Sequence, residues 1–230
     1  MTTCMMPGQK AGEIMSLVFR SIGVSRLRIV TDGEGVTTLA AGYGCPLRCR
    51  YCLNPQCFEA PEPAKEYTVQ QLIETVAVDD LYFLATGGGV MFGGGEPLLQ
   101  ADFIHAFRKE APSGWKIGLE SSLAVDPKEL AKVIPDIDLF LVDIKDMDPG
   151  IYRAYTGCSN EKTLAGLRLL LEKTDPEKIR VRIPLIEGFN TEEDRRRSQE
   201  QLRQMGFSKF DLFRYDITRG RRKAGNPAEK

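Results

Sequence analysis

The chain has 230 residues, 42% of them hydrophobic and 27% charged, with a formal net charge of −1. This balance describes a globular protein with a core of its own and a length suited to one domain. It gives no bulk electrostatic reason to expect nucleic acid or a membrane as partner. No stretch approaches the about 20 apolar residues that span a bilayer, and the start, Met1-Thr2-Thr3-Cys4, lacks a signal-peptide layout. Six cysteines, three of them clustered, suit a reducing compartment, the cytoplasm, better than a disulfide scaffold.

In chain order, residues 27–30 and 36–41 read as strands around the turn Asp32-Gly33-Glu34-Gly35, and they lead into a cysteine-rich loop. Pro61 and Pro63 break the segment after that loop, and Thr68 then caps a helix to about residue 80. Residues 90–92 form a short strand ending in a glycine turn, and residues 100–110 a helix with Phe103, Ile104 and Phe107 at helical spacing. Strand 117–119 ends at Glu120, and Asp126-Pro127 opens another helix with proline at its first position. Strand 139–142, helix 161–173, strand 179–186, a polar helix from Thr191 to about Met205 and strand 210–213 complete the series. About six strand–helix units predict a parallel α/β fold. They are too few to close an eight-stranded barrel. One domain over residues 1–217 and a basic tail over 218–230 are expected.

Cys45, Cys49 and Cys52 follow the second strand with the spacing CxxxCxxC. Thiolates are the usual ligands of iron–sulfur clusters. A four-iron cube held by three of them keeps one iron open to a small molecule, whereas an electron carrier is normally closed by four. Two plainer readings stand beside this one. The cysteines can be buried structural side chains, or they can bind zinc, although structural zinc usually takes four ligands and the single histidine, His105, lies far along the chain. Cys4, Cys57 and Cys158 read as ordinary side chains.

Gly93, Gly94 and Gly95 let a backbone turn approach a ligand, or simply make a tight turn. Gly87, Gly88 and Gly89 read as packing and turn residues. Asp143 and Lys145 alternate at a strand end, so both face one side; so do Arg180 and Arg182. A surface ion pair is the plain alternative for each. His105 sits on an amphipathic helix expected outside the barrel, as a surface or packing residue. With no other imidazole and no G-x-S-x-G nucleophile motif, the chemistry falls to a cofactor. The cysteine loop, residues 93–97, Glu120, Ser122, Asp143, Lys145 and Arg182 all fall at C-terminal strand ends, where parallel barrels place function.

CxxxCxxC with Tyr51 is also the signature of the radical S-adenosylmethionine (SAM) superfamily. The chain most resembles its glycyl-radical-enzyme activating enzymes, of the pyruvate formate-lyase activase kind. Three further blocks carry the resemblance: the glycine-rich run from Gly87 through Glu96, Pro97 and Leu98; Leu141-Val142-Asp143-Ile144-Lys145; and Tyr155-Thr156-Gly157-Cys158-Ser159-Asn160 into Lys162-Thr163-Leu164. They run collinearly over roughly residues 25–215, which is more specific than one motif. The resemblance implies a partial (β/α)6 TIM-like barrel and a [4Fe-4S] cluster on Cys45, Cys49 and Cys52. It implies SAM against Tyr51, Gly94, Gly95 and Glu96 on one side, and Glu120, Ser122, Asp143, Lys145 and Arg182 on the other. It further implies a monovalent cation at Glu120 and Asp143, a flavodoxin or ferredoxin-type reductant, and a glycyl radical enzyme as protein substrate.

The chain departs from the pattern in four places. Residues 57–68 hold no ferredoxin-like insert, Asp32-Gly33-Glu34-Gly35 stands for Asp-Gly-Pro-Gly, Glu120 for an aspartate, and Leu212-Phe213-Arg214-Tyr215 for Leu-Pro-Phe/Tyr-His. The competing readings are a radical SAM enzyme acting on a small molecule, nucleotide or peptide, and a non-catalytic iron–sulfur electron-transfer module.

Overall fold

The computed structural model describes residues 17–29, 31–59 and 64–215. The expected basic tail, Cys4, Pro61, Pro63 and the end of the first predicted strand at Val30 lie outside the described residues. An eight-stranded sheet runs in the order β3-β1-β2-β4-β5-β6-β7-β8. From β2 (Val36–Gly42) it continues through β4 (Gly89–Gly94), β5 (Lys116–Ser121), β6 (Leu139–Asp143), β7 (Ile179–Leu185) and β8 (Phe210–Arg214) with every neighbouring pair parallel. These six strands are the expected parallel core of a partial barrel. β1 (Phe19–Ile29) pairs antiparallel with β2, and β3 (Lys65–Tyr67) antiparallel with the start of β1.

The strand faces alternate as a helix-covered sheet requires. Val90, Phe92, Ile117, Leu119, Phe140, Val142, Val181 and Ile183 are all buried in the main core. The helices over them are α2 (Val69–Ala77), α4 (Ala101–Glu110), α5 (Pro127–Val133), α7 (Glu161–Lys173) and α8 (Glu192–Met205). Phe92 sits edge-on to Phe19 at 5.5 Å and to Phe107 at 5.2 Å. The helix starts carry their sequence signals. Thr68 and Gln71 form a capping box, Asp126 caps α5 ahead of Pro127, and Thr191 caps α8 with Asp194.

Several elements differ from the sequence reading. β1 begins at Phe19 rather than Leu27 and has register shifts between Ser21 and Gly23 and between Ser25 and Arg28. Leu27 takes a left-handed φ of 51° at the second shift. Most of its residues are half-buried or exposed, so it carries no apolar run to read. The helix expected from Thr68 to about residue 80 is α2, which ends at Ala77, and an unexpected α3 (Asp80–Thr86) follows it. Asp79 is fully buried between them, where it accepts hydrogen bonds from Arg26 Nη2 (2.6 Å) and Thr38 Oγ1 (2.6 Å). The chain breaks there to seat that carboxylate against the β1–β2 hairpin. α1 (Gln56–Glu59) and α6 (Pro149–Thr156) were not expected, although Asp148-Pro149 repeats the start signal of Asp126-Pro127. His105 lies on α4, with Nδ1 2.6 Å from Asp136 Oδ2, as a half-exposed outer residue. No helix among the described residues is long and apolar enough to cross a membrane.

The hydrogen bond from Arg26, then that from Thr38, holds the Asp79 carboxyl below the usual range against the opposing effect of burial. A depressed acid stabilises the fold above its unfolded pKa and loses that contribution as pH falls through the folded value. The urea midpoint of wild type should therefore exceed that of Asp79→Asn by a constant margin above about pH 5, and the margin should close below about pH 4.

Candidate functional site

The cysteine loop leaves β2 at Gly42 and is pinned on three sides. Gly44 N–H donates to Cys57 C=O (2.9 Å), and Arg48 and Arg50 N–H donate to Thr156 and Tyr155 C=O at the end of α6 (2.9 and 3.1 Å). From the β4 side, Gly95 N–H donates to Gly42 C=O (3.0 Å) and Glu96 N–H to Gly44 C=O (2.8 Å). A Cβ on Gly95 would lie 2.2 Å from the Gly44 oxygen, and Gly94 has φ +89°. The glycines are thus required for the turn to meet the cysteine loop backbone to backbone. Gly88 and Gly89 are packing residues, pressed on the backbone of Val36 and Lys116.

Cys45, Cys49 and Cys52 are each partly exposed. Burial pushes the Cys49 thiol up to about 12. Cys57 is buried, and its thiol contacts those of Cys45 and Cys52, which together with burial raises its pKa. Asn54, which the sequence reading did not single out, donates from its backbone to Cys52 Sγ (3.4 Å) and from Nδ2 to Gly94 C=O (3.1 Å). It ties the last cysteine to the glycine turn. The Asn54-Pro55 pair is the local signal for that turn.

Glu96 and Ser122 face each other. The Glu96 carboxylate, 1% exposed, accepts from Ser121 Oγ (2.7 Å), Ser122 Oγ (2.6 Å), Ser122 N–H (3.0 Å) and Leu98 N–H (3.3 Å). Burial pushes its pKa up against these donors. The pair locks the end of β4 to the end of β5.

Beside the cysteine loop, β5, β6 and β7 bring four charges together on one sheet face. Arg182 Nη1 donates to Glu120 Oε1 (2.9 Å), Arg182 Nε lies 3.2 Å from Asp143 Oδ1, and Lys145 Nζ lies 3.4 Å from Asp143 Oδ2. All four side chains are 15–22% exposed. Burial raises Glu120, with Asp143 adding to the effect. Burial also opposes ionisation of Asp143 and Lys145, but their mutual attraction prevails: Asp143 is held below and Lys145 well above its usual range. Asp143 Oδ1 and Arg182 Nε are buried without an aligned hydrogen-bond partner. The two atoms face each other as an ion pair that is misaligned for a hydrogen bond. The guanidinium stands between the two carboxylates expected to share a cation.

An aromatic group stands near Lys145, with Tyr155 and Tyr215 in electrostatic reach of it. The Tyr51 ring lies 5.7 Å from Phe189 and 6.3 Å from Tyr155, and Tyr155 lies 6.4 Å from Tyr215. Phe189 and Tyr215 carry no local sequence signal, because only the fold brings them to Tyr51.

The sequence profile described as the radical SAM superfamily matches residues 40–198. The chain belongs to the radical SAM superfamily. Among its curated relatives, the (2S)-3-sulfopropanediol dehydratase activating enzyme of Klebsiella oxytoca is 31% identical over 223 residues, covering 70% of this chain and 69% of that one. The pyruvate formate-lyase-activating enzyme of Staphylococcus aureus is 34% identical over 170 residues, covering 71% and 67%. Among solved structures, Streptococcus suis SuiB bound to its precursor peptide SuiA aligns with a TM-score of 0.60 at 12% identity, over 77% of this chain and 38% of SuiB. TYW1 with a lysine-pyruvate adduct aligns at 0.54 and 17% identity, over 80% and 65%. These two share the fold. This radical SAM enzyme thus has activating enzymes as relatives and the partial barrel of its superfamily, and the superfamily implies a [4Fe-4S] cluster and SAM.

Arg182→Gln in the radical SAM core leaves Glu120 and Asp143 as adjacent anions without their shared counter-charge. The expected cost is about 3 kcal/mol, the lower end for breaking a buried pair, read as a lowered denaturation midpoint of the iron-free protein.

Proposed function

We propose that this protein reductively cleaves SAM and uses the resulting radical to remove a glycine Cα hydrogen from a partner glycyl radical enzyme. The observation that carries the reading is a braced loop of three partly exposed thiols whose Cys49 lies within electrostatic reach of Lys145 and Asp143, themselves part of the Glu120–Asp143–Lys145–Arg182 group. The similarity to two activating enzymes over about two thirds of their length supports it.

Cys45, Cys49 and Cys52 would hold the [4Fe-4S] cluster. When bound, that cluster supplies the electron that splits SAM into methionine and a 5′-deoxyadenosyl radical. Lys145 lies close enough to Cys49 to favour its thiolate. Asp143, Lys145 and Arg182 would meet the charged groups of the methionine part, and the backbone at Gly94 and Gly95 and the Tyr51 ring would complete the SAM site. Glu96 and Ser122 support this site through each other. A monovalent cation held by Glu120 and Asp143 would require Arg182 to move aside. The aromatic group excludes water, which holds the reacting carbon and hydrogen in one orientation. The protein substrate is a glycine-bearing loop and the reductant a flavodoxin or ferredoxin. The setting is an anaerobic cytoplasm.

A second reading, a radical SAM enzyme with another substrate, is favoured by Tyr215 standing in place of the usual histidine. Mixing reconstituted enzyme, SAM and dithionite with a candidate glycyl radical enzyme separates the two. The activase reading expects a glycyl radical signal by electron paramagnetic resonance; 5′-deoxyadenosine without that signal favours the second. No 5′-deoxyadenosine from wild type would leave only an electron-transfer module. Cys49→Ala should lose both the iron–sulfur absorbance and SAM cleavage, and retention of either removes Cys49 from the ligand set.

A further inference from the structure

The last described residue makes the longest-range tie to the cysteine loop. Tyr215 follows β8, and its N–H still donates to Leu185 C=O of β7 (2.8 Å), so its backbone is fixed to the sheet. Its hydroxyl donates to the Tyr51 C=O at 2.6 Å, across 164 residues of sequence. That carbonyl belongs to the peptide whose N–H is Cys52, and the Cys52 N–H donates to Cys49 C=O (3.2 Å). One peptide plane therefore links the Tyr215 hydroxyl to two cysteines. The ring is held by Tyr155 and Phe213, each 6.4 Å away. Burial pushes the hydroxyl up to about 12, so it remains a donor across physiological pH.

The rest of the loop is pinned from other directions, by Cys57 at Gly44 and by the end of α6 at Arg48 and Arg50. Tyr215 is the contact from the final strand, and it acts at the corner nearest Cys52. β3 and β8 are the two edges of the sheet and do not pair with each other. The hydroxyl thus fastens the β8 end of an open barrel to a loop that leaves β2 on the other side.

We propose that Tyr215 is a positioning residue, whose hydroxyl orients the Tyr51–Cys52 peptide and thereby sets how Cys52 is presented to the iron–sulfur cluster. The proposal rests on the radical SAM reading of the cysteine loop. Outer groups that orient a ligand typically change metal retention 10–100-fold when removed, and hydrogen bonding around cluster sulfurs sets their spectroscopic and redox properties.

The test uses Tyr215→Phe, which keeps the ring and removes one oxygen. Wild type is reconstituted anaerobically first. If it holds no iron–sulfur cluster, the cofactor reading has failed, and with it the basis of this proposal. With wild type loaded, Tyr215→Phe should release iron to a chelator at least about 10-fold faster. Its reduced form, recorded without SAM, should show an altered electron paramagnetic resonance spectrum. Amide hydrogen exchange at Cys52 should rise, while the iron-free variant keeps the wild-type circular dichroism and melting temperature. Wild-type iron release together with an unchanged spectrum overturns the proposal. So does faster release accompanied by a lowered melting temperature and an unchanged spectrum, which assigns the hydroxyl to general stability.

Discussion

The site depends on one contact, the meeting of two backbones where the glycine turn after β4 abuts the loop after β2. Gly95 and Glu96 donate to the carbonyls of Gly42 and Gly44, and a methyl group at position 95 would overlap the Gly44 oxygen. This sets the distance between the cysteines and the strand ends that carry the charges. Asn54 repeats the tie from the other side by holding the Gly94 carbonyl. A loop of three thiols has little secondary structure to hold it, and here the order comes from hydrogen bonds to neighbouring strand and helix ends.

The charges beside the loop need the same rigidity. Arg182 serves two carboxylates on two different strands, and Lys145 serves one of them again. Four partly buried charges are stable only when geometry pairs them. Register supplies that geometry, because Asp143 and Arg182 are direct partners across β6 and β7. Asp143 Oδ1 and Arg182 Nε pair by charge, without an aligned hydrogen bond.

Much of this was legible in the sequence because its cause is local. The Asp-Pro and Thr-x-x-Gln signals mark helix starts, apolar runs mark the buried strands, and CxxxCxxC marks the loop. What escaped has a tertiary cause. β1 is too polar to read as a strand of 11 residues. α3 exposes Leu81, Tyr82 and Leu84 and buries only Phe83, so its apolar residues show no inward face. The break at Asp79 exists to satisfy Arg26 and Thr38, both far earlier in the chain. Glu96 and Ser122 were placed from the resemblance as ligand contacts, and the hydrogen bonds between them, which join two strand ends, have no local sequence signal.

The hydroxyl of Tyr215 bonded to the Tyr51 carbonyl bears on biosynthesis. During translation the three cysteines leave the ribosome well before the strand that completes their support, since domains emerge N-terminus first. The loop is complete early, but its last tie waits for β8 and Tyr215. A chain released before Tyr215 would therefore carry the three cysteines on a loop without that tie.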